Sequence, residues 1–370
     1  MLICPDELGG TLSAVAAAQA IADGWRSAAP ADHLVLRPMA DGGPGFVEVL
    51  AGAVGGTRVP VPTCDPLGRP VIGDVLLTGD VGYVESAHAC GLHLLATSER
   101  NPRVTTSYGL GALVTAAAEA GVRQIVVGLG GSATNDGGAG LLSALGAVPL
   151  DEAGYALPYG GAALIGCSAL ADAPRLRPVT LVAATDVDNP LLGLFGASSV
   201  YGPQKGADRG DVLLLDAALQ RFAAVLESSL PTCPAGLGAL PGGGAAGGLG
   251  AAILALGGRV ESGVGLVRGL SRLDQAMDGV DLVITGEGSL DAQSLRGKVV
   301  AGVAAAAQER GLPCLVLAGR VLLGRADAAV AGVTEAYSLV EHFGDVERAM
   351  ADPADGLRSL AARLARQYSR

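Results

Sequence analysis

The sequence predicts an α/β protein with parallel sheets, one domain being inserted into another. Three observations lead there. A strand–loop–helix grammar occurs near both ends of the chain, and a different, glycine-rich grammar occupies the middle. Half of the residues are apolar but only 3% are aromatic, so Ala, Val and Leu must fill the core, as suits helices laid closely on sheets. Thirdly, the apolar run Ile125, Val126, Val127 empties directly into a segment dense in glycine.

The first residues read as a strand (1–4), a loop (5–10) and an Ala-rich helix (11–25). The pattern returns as a strand over 281–285, a Gly286-Glu287-Gly288 loop and a helix over 299–310, and again as a strand over 313–318. Residues 345–370 read as a final helix whose late basic residues suit its dipole. Between these lie the 128–140 glycine segment, a strand over 179–184 ending in Thr185-Asp186-Val187-Asp188, and the Gly/Ala-rich run 241–250. The predicted division is therefore residues 1–60 with 279–370 as one domain and 61–278 as the insert. A length of 370 residues gives each a sizeable core.

A net charge of -11 disfavours nucleic acid and acidic lipid surfaces as partners, and points to a small metabolite with its own counter-ion. The six cysteines are scattered without a C-x-x-C pair, as in reduced thiol proteins, and no apolar span reaches 18 residues. The expectation is a soluble cytoplasmic protein with no nucleic acid or membrane partner; self-association into a homo-oligomer is left open.

A strand that opens into Gly128-Leu129-Gly130-Gly131-Ser132-Ala133-Thr134-Asn135-Asp136-Gly137-Gly138 offers bare backbone N–H groups and a carboxylate. That is equipment for phosphate and a metal ion. Gly128, Gly130 and Ala133 also fit the G-x-G-x-x-A dinucleotide form, which keeps an NAD-dependent oxidoreductase as an outside alternative. With 57 glycines such spacings arise by chance, and a close-packing turn is the plain alternative. No Walker A loop is present, because Gly297-Lys298 is followed by Val299.

Lys205 and Lys298 are the only lysines among 25 basic residues, which suggests compact ammonium groups placed for phosphate; surface positions and a helix start are the alternatives. Asp186 and Asp188, two apart beyond a strand, put both carboxylates to one side in extended backbone, suiting Mg²⁺ and a base for a hydroxyl. Turn capping is their other reading. Asp41, Glu287 and Asp291 each follow a strand-like run, where they could equally cap helices. His88 and His93 share no helix face and lack a third ligand nearby.

Taken together, residues 128–140, Asp186-Val-Asp-Asn-Pro190, Gly202-Pro-Gln-Lys-Gly206, residues 241–250 and Asp281-Leu-Val-Ile-Thr-Gly-Glu-Gly288 resemble the class I glycerate kinases. Pro5-Asp6, Ala40-Asp-Gly-Gly43, Asp65-Pro-Leu-Gly68, Arg100-Asn-Pro102 and Asp291-Ala-Gln293 with Gly297-Lys298 support the match along nearly the whole chain. The resemblance implies a flavodoxin-like domain formed by both termini, an inserted second α/β domain and an active site in the cleft. It also implies ATP-dependent, Mg²⁺-assisted phosphorylation of glycerate on the 2-hydroxyl. Asp186 and Lys205 are then the catalytic candidates. Gly130, Gly131, Ser132, Asn135, Asp136, Glu287 and Lys298 are the candidates for holding the nucleotide, and Asp41, Asp188 and Asp291 those for the metal.

Three positions depart from the family pattern, which carries Lys, Glu and Arg where this chain has Gly9, Pro44 and Ser289. Lost charges on strand-end loops predict weaker glycerate turnover, unless Arg296 or Arg320 offsets them. A kinase of another small hydroxy acid, or a non-catalytic ligand-binding relative, is the alternative.

Overall fold

A computed structural model describes residues 1–295 and 298–369. Its strands in chain order are β1 (Leu2–Ile3), β2 (Val35–Leu36), β3 (Thr57–Cys64), β4 (Pro70–Thr78), β5 (Val81–Glu85), β6 (Gln124–Gly128), β7 (Pro149–Leu150), β8 (Ala169–Leu170), β9 (Thr180–Ala184), β10 (Arg259–Glu261), β11 (Val283–Leu290), β12 (Cys314–Val321) and β13 (Glu335–Ser338). The chain divides into two units, Met1–Asp41 with Glu48–Val54 and Gly263–Arg370, and Gly42–Val47 with Gly55–Ser262.

The first unit is a five-stranded sheet in the order β13-β12-β11-β1-β2 with every pair parallel. Ranked within the unit this is 2-1-3-4-5, the flavodoxin-like order. The helix Ala14–Ala28 starts where the Ser13 hydroxyl accepts the Ala16 amide, and it packs on the C-terminal helix Pro353–Tyr368. Gly24 permits their approach, since a Cβ there would lie 2.1 Å from the Arg358 carbonyl oxygen. Ile21, Trp25, Ile284, Leu317, Leu360 and Leu364 fill the layer between helices and sheet. Each such side chain contributes about 1.5–3 kcal/mol by leaving water.

Two local expectations are corrected here. The predicted 281–285 strand continues to Leu290, so Glu287 lies in β11 rather than in a loop. Pairing with β12 extends it, Gly286 matching Leu317 and Glu287 matching Ala318, and a Cβ at Gly286 would meet the Leu317 oxygen at 2.2 Å. The single final helix is instead two, Val346–Ala351 and Pro353–Tyr368, because Pro353 cannot donate to a preceding turn and starts a new helix capped by Asp352.

The second unit holds a six-stranded sheet, order β10-β9-β6-β5-β4-β3. β5, β6, β9 and β10 are parallel, while β3, β4 and β5 form an antiparallel meander. Leu113, Ile125, Val127, Leu181 and Ile253 belong to one core cluster. A second cluster gathers Leu142, Leu219, Phe222 and Leu226, the last three from the helix Arg209–Ser229.

Residues 263–278, read from sequence as part of the insert, lie in the first unit, where Asp274 is ion-paired to Arg268 and Arg310. Residues 55–60 lie in the second, because β3 is one arm of the β3–β4 hairpin.

Candidate functional site

In an open parallel sheet, ligands gather beyond the carboxyl ends of the strands where the strand order reverses, and in the first unit that point lies between β1 and β11. Asp6 follows β1 and its amide donates to the Gly286 carbonyl at 2.8 Å. Glu287 sits next along β11. It is 8% exposed, and its Oε1 is buried without a hydrogen-bond partner. Burial pushes the Glu287 carboxyl up to about 7, against the pull of Ser294 and Lys298, and Asp291 and Asp41 add to the rise. Asp6 is raised by desolvation first, then by the Asp41 charge, with Glu7 and Glu287 adding to it. The sequence-predicted Asp41, Glu287, Asp291 and Lys298 thus belong to one electrostatic group, to which the structure adds Asp6.

Other details of this group are local. Asp291 Oδ1 accepts the Gln293 amide at 2.8 Å, and the Ser294 hydroxyl accepts the Asp291 amide. Lys298 is the N-cap of the helix Val299–Glu309, with no side-chain capping bond. Gly297 and Arg296, which the sequence reading placed beside it, lie outside the described residues.

In the second unit the carboxyl ends of the parallel strands are locked in a row. Ser86 donates its amide to Gly128, Leu129 to Ala184 and Thr185 to Glu261, at 2.9–3.0 Å. The glycine-rich turn leaves this row at Leu129. Gly130 is required there because a Cβ would come within 2.4 Å of Gly43 Cα, and Gly131, at φ +62°, lies against the Pro44 ring. Asp186 follows β9, and its Oδ1 accepts the Ser262 hydroxyl at 2.5 Å. Asp188 adds to the rise that burial imposes on the Tyr201 phenol.

Asn135 is fully buried, donating Nδ2 to Ser198 Oγ at 2.9 Å while its Oδ1 has no partner; Thr134 Oγ1 is also buried and unpartnered. Buried polar atoms left single are costly, and a ligand is one way to satisfy them. Asp136 differs. Its carboxylate accepts the amides of Ser107, Gly138 and Gly140 and the Ser107 hydroxyl, at 2.8–3.1 Å. Burial still holds it above its ordinary value. These four bonds tie the carboxylate to Ser107 and to the start of the helix Ala139–Ala144.

Lys205 is also buried, at 2% exposed. Its Nζ donates to Thr134 O at 2.6 Å and to Ser132 Oγ at 3.0 Å, and desolvation brings its pKa down to about 7 against the opposing influence of Asp136 and Cys90. The sequence reading did not name Asp6, Thr134, Ser198 or Ser262 as site residues. The Pro5-Asp6 pair and the glycine-rich run around Thr134 carried a signal for the first two.

Comparison with known proteins matches residues 1–369 to the model of the glycerate kinase family. The chain belongs to that family. It is 41% identical over 369 residues to a glycerate kinase of Halalkalibacterium halodurans, covering 98% of this chain and 96% of that protein. It is 38% identical over 377 residues to glycerate 2-kinase of Escherichia coli, covering 99% and 98%. A solved Salmonella typhimurium LT2 structure assigned as glycerate kinase 2 superposes with a TM-score of 0.77 at 36% identity, over 99% of this chain and 97% of that one. This glycerate kinase family member is a phosphotransferase acting on the hydroxyl of glycerate, and the oxidoreductase alternative falls away. Among the described residues no helix is long and apolar enough to cross a membrane.

Proposed function

We propose that the protein transfers a phosphoryl group from Mg²⁺-bound ATP to the 2-hydroxyl of glycerate in the cytoplasm. Buried, unpartnered Thr134 Oγ1 and Asn135 Oδ1 beside the Gly130-Gly131 turn carry this reading, since such a turn gives backbone amides to phosphate while the side-chain oxygens await polar partners. Gly130, Gly131, Ser132 and Asn135 hold the phosphates. Glu287 and Lys298 complete the nucleotide contacts.

Mg²⁺ characteristically takes one or two carboxylates together with phosphate oxygens and water. Asp41, Asp188 and Asp291 are the carboxylates proposed to serve it; among the described residues no three acidic, His or Cys side chains form a cage by themselves. The nucleotide supplies the phosphoryl group, and the ion neutralises its charge. Asp186, oriented by Ser262, accepts the proton of the attacking hydroxyl.

Phosphorus NMR of the product made from D-glycerate and Mg²⁺-ATP tests the reading. A 2-phosphoglycerate signal is expected, and 3-phosphoglycerate alone would overturn the choice of hydroxyl. ATP with Mg²⁺ is expected to raise the melting temperature, which NAD is not.

A further inference from the structure

We propose that Lys205 is a positioning residue of the phosphate-binding turn and does not itself meet the transferred phosphoryl group. This rests on the reading that residues 130–135 hold the nucleotide phosphates. The ammonium of Lys205 is enclosed, and two of its donors go to Thr134 O and Ser132 Oγ, both within that turn. Those bonds commit two of the three ammonium donors to the turn, and the burial of the side chain shields the third from a phosphate arriving from solvent.

The rest of the turn's support is backbone. A Cβ at Gly247 would fall 1.9 Å from Thr134 O, and one at Gly161 would fall 2.3 Å from Asn135 O, so chain from two other segments presses directly on the turn. The Gly137 amide donates to Gly247 O at 2.9 Å, and the Ala133 amide to Cys90 O at 2.7 Å. Lys205 adds a cationic side chain to this clamp. Asp136 is the carboxylate whose charge acts on it, and it is already saturated by four donors. Its own segment is fixed as well, since Gly206, at φ +98°, abuts Arg100 O where no Cβ would fit. Lys205 therefore sets the carbonyl of residue 134 and the hydroxyl of residue 132, and through them the oxygens that stay unpartnered next to them.

Because the sequence has only two lysines, amine acetylation followed by peptide mass spectrometry reads the idea in the wild-type protein. Lys205 is expected to react at least tenfold more slowly than Lys298, at the same rate with and without saturating Mg²⁺-ATP. A Lys205 that reacts as fast as Lys298 and is protected by Mg²⁺-ATP would overturn the proposal. If Mg²⁺-ATP instead fails to shift the melting temperature, the nucleotide reading falls while the Lys205 result stands.

Kinetics of Lys205→Met supply the second readout. The KM for Mg²⁺-ATP is expected to rise about tenfold or more with the KM for glycerate within about twofold, whereas loss of folded protein alone changes neither KM. A fall in kcat with both KM values unchanged would return Lys205 to direct phosphoryl contact.

Discussion

Asp186 and Ser262 are joined by a 2.5 Å hydrogen bond from the serine hydroxyl to Oδ1, linking the residues that follow two neighbouring parallel strands, β9 and β10. The bond fixes the carboxylate's rotamer, as the proposed base role requires. Asp186→Asn is expected to lower kcat by ~10²–10⁴. Ser262→Ala, which removes orientation but not the base, is expected to cost about tenfold or less. Steady-state kinetics on refolding-checked protein decide it, and an Asp186→Asn enzyme within threefold of wild type would remove Asp186 from the base role.

Asp136 gathers four donors in a buried site, so its replacement is a stability experiment. Asp136→Ala strands the Ser107, Gly138 and Gly140 amides and is expected to cost roughly 2–5 kcal/mol, read as a lowered urea midpoint with an unchanged m-value. A variant as stable as wild type but unable to bind nucleotide would instead support the expected ligand role.

Lys205 makes stability depend on pH. Its folded-state pKa is about 7 against 10.5 for the free side chain, so between these values the unfolded chain binds more protons than the native one. The slope of unfolding free energy with pH is then positive: this group's destabilising contribution is largest below pH 7 and fades as pH rises toward 10.5. Comparing wild type with Lys205→Met by denaturant titration at pH 6.5, 8 and 9.5 should show wild type gaining relative to the variant across the series. A constant difference would show that the native lysine titrates normally.

Ser289 pairs in register with Arg320 of the adjacent strand, and Gly9 abuts Gly288, so two of the family departures surround one stretch of β11. Arg320 is therefore placed to stand in for the arginine missing at position 289. Arg320→Ala is expected to lower kcat/KM for glycerate ~10- to 150-fold, the range for one charge-assisted bond. Wild-type turnover is itself expected to be weak with a high KM. The Gly9→Lys, Ser289→Arg variant should improve kcat/KM only partly, because φ at Gly9 is +53°, which costs a lysine about 1–2 kcal/mol. Wild-type kcat/KM at or above about 10⁴ M⁻¹s⁻¹ would show that the departures cost nothing.

Periodicity and punctuation made the α/β class legible, together with the parallel strands at both termini and the glycine turn after β6, because these are local: an apolar run, a glycine break and a cap are fixed by neighbours in sequence. Gly130 and Gly131 were visible for that reason. Long-range pairing decided the rest. β11 runs through Gly286-Glu287-Gly288 only because β12 lies beside it, and Glu287 acquires its raised pKa only by being buried near Asp41 and Asp291. Sequence marked Asp136 as a nucleotide-binding candidate in a glycine-rich run, and Lys205, one of only two lysines, as a catalytic one. Tertiary packing enclosed both, and a buried charge must take its partners from whatever the fold brings within bonding distance, here Ser107 and the helix start for one and the 132–134 backbone and hydroxyl for the other.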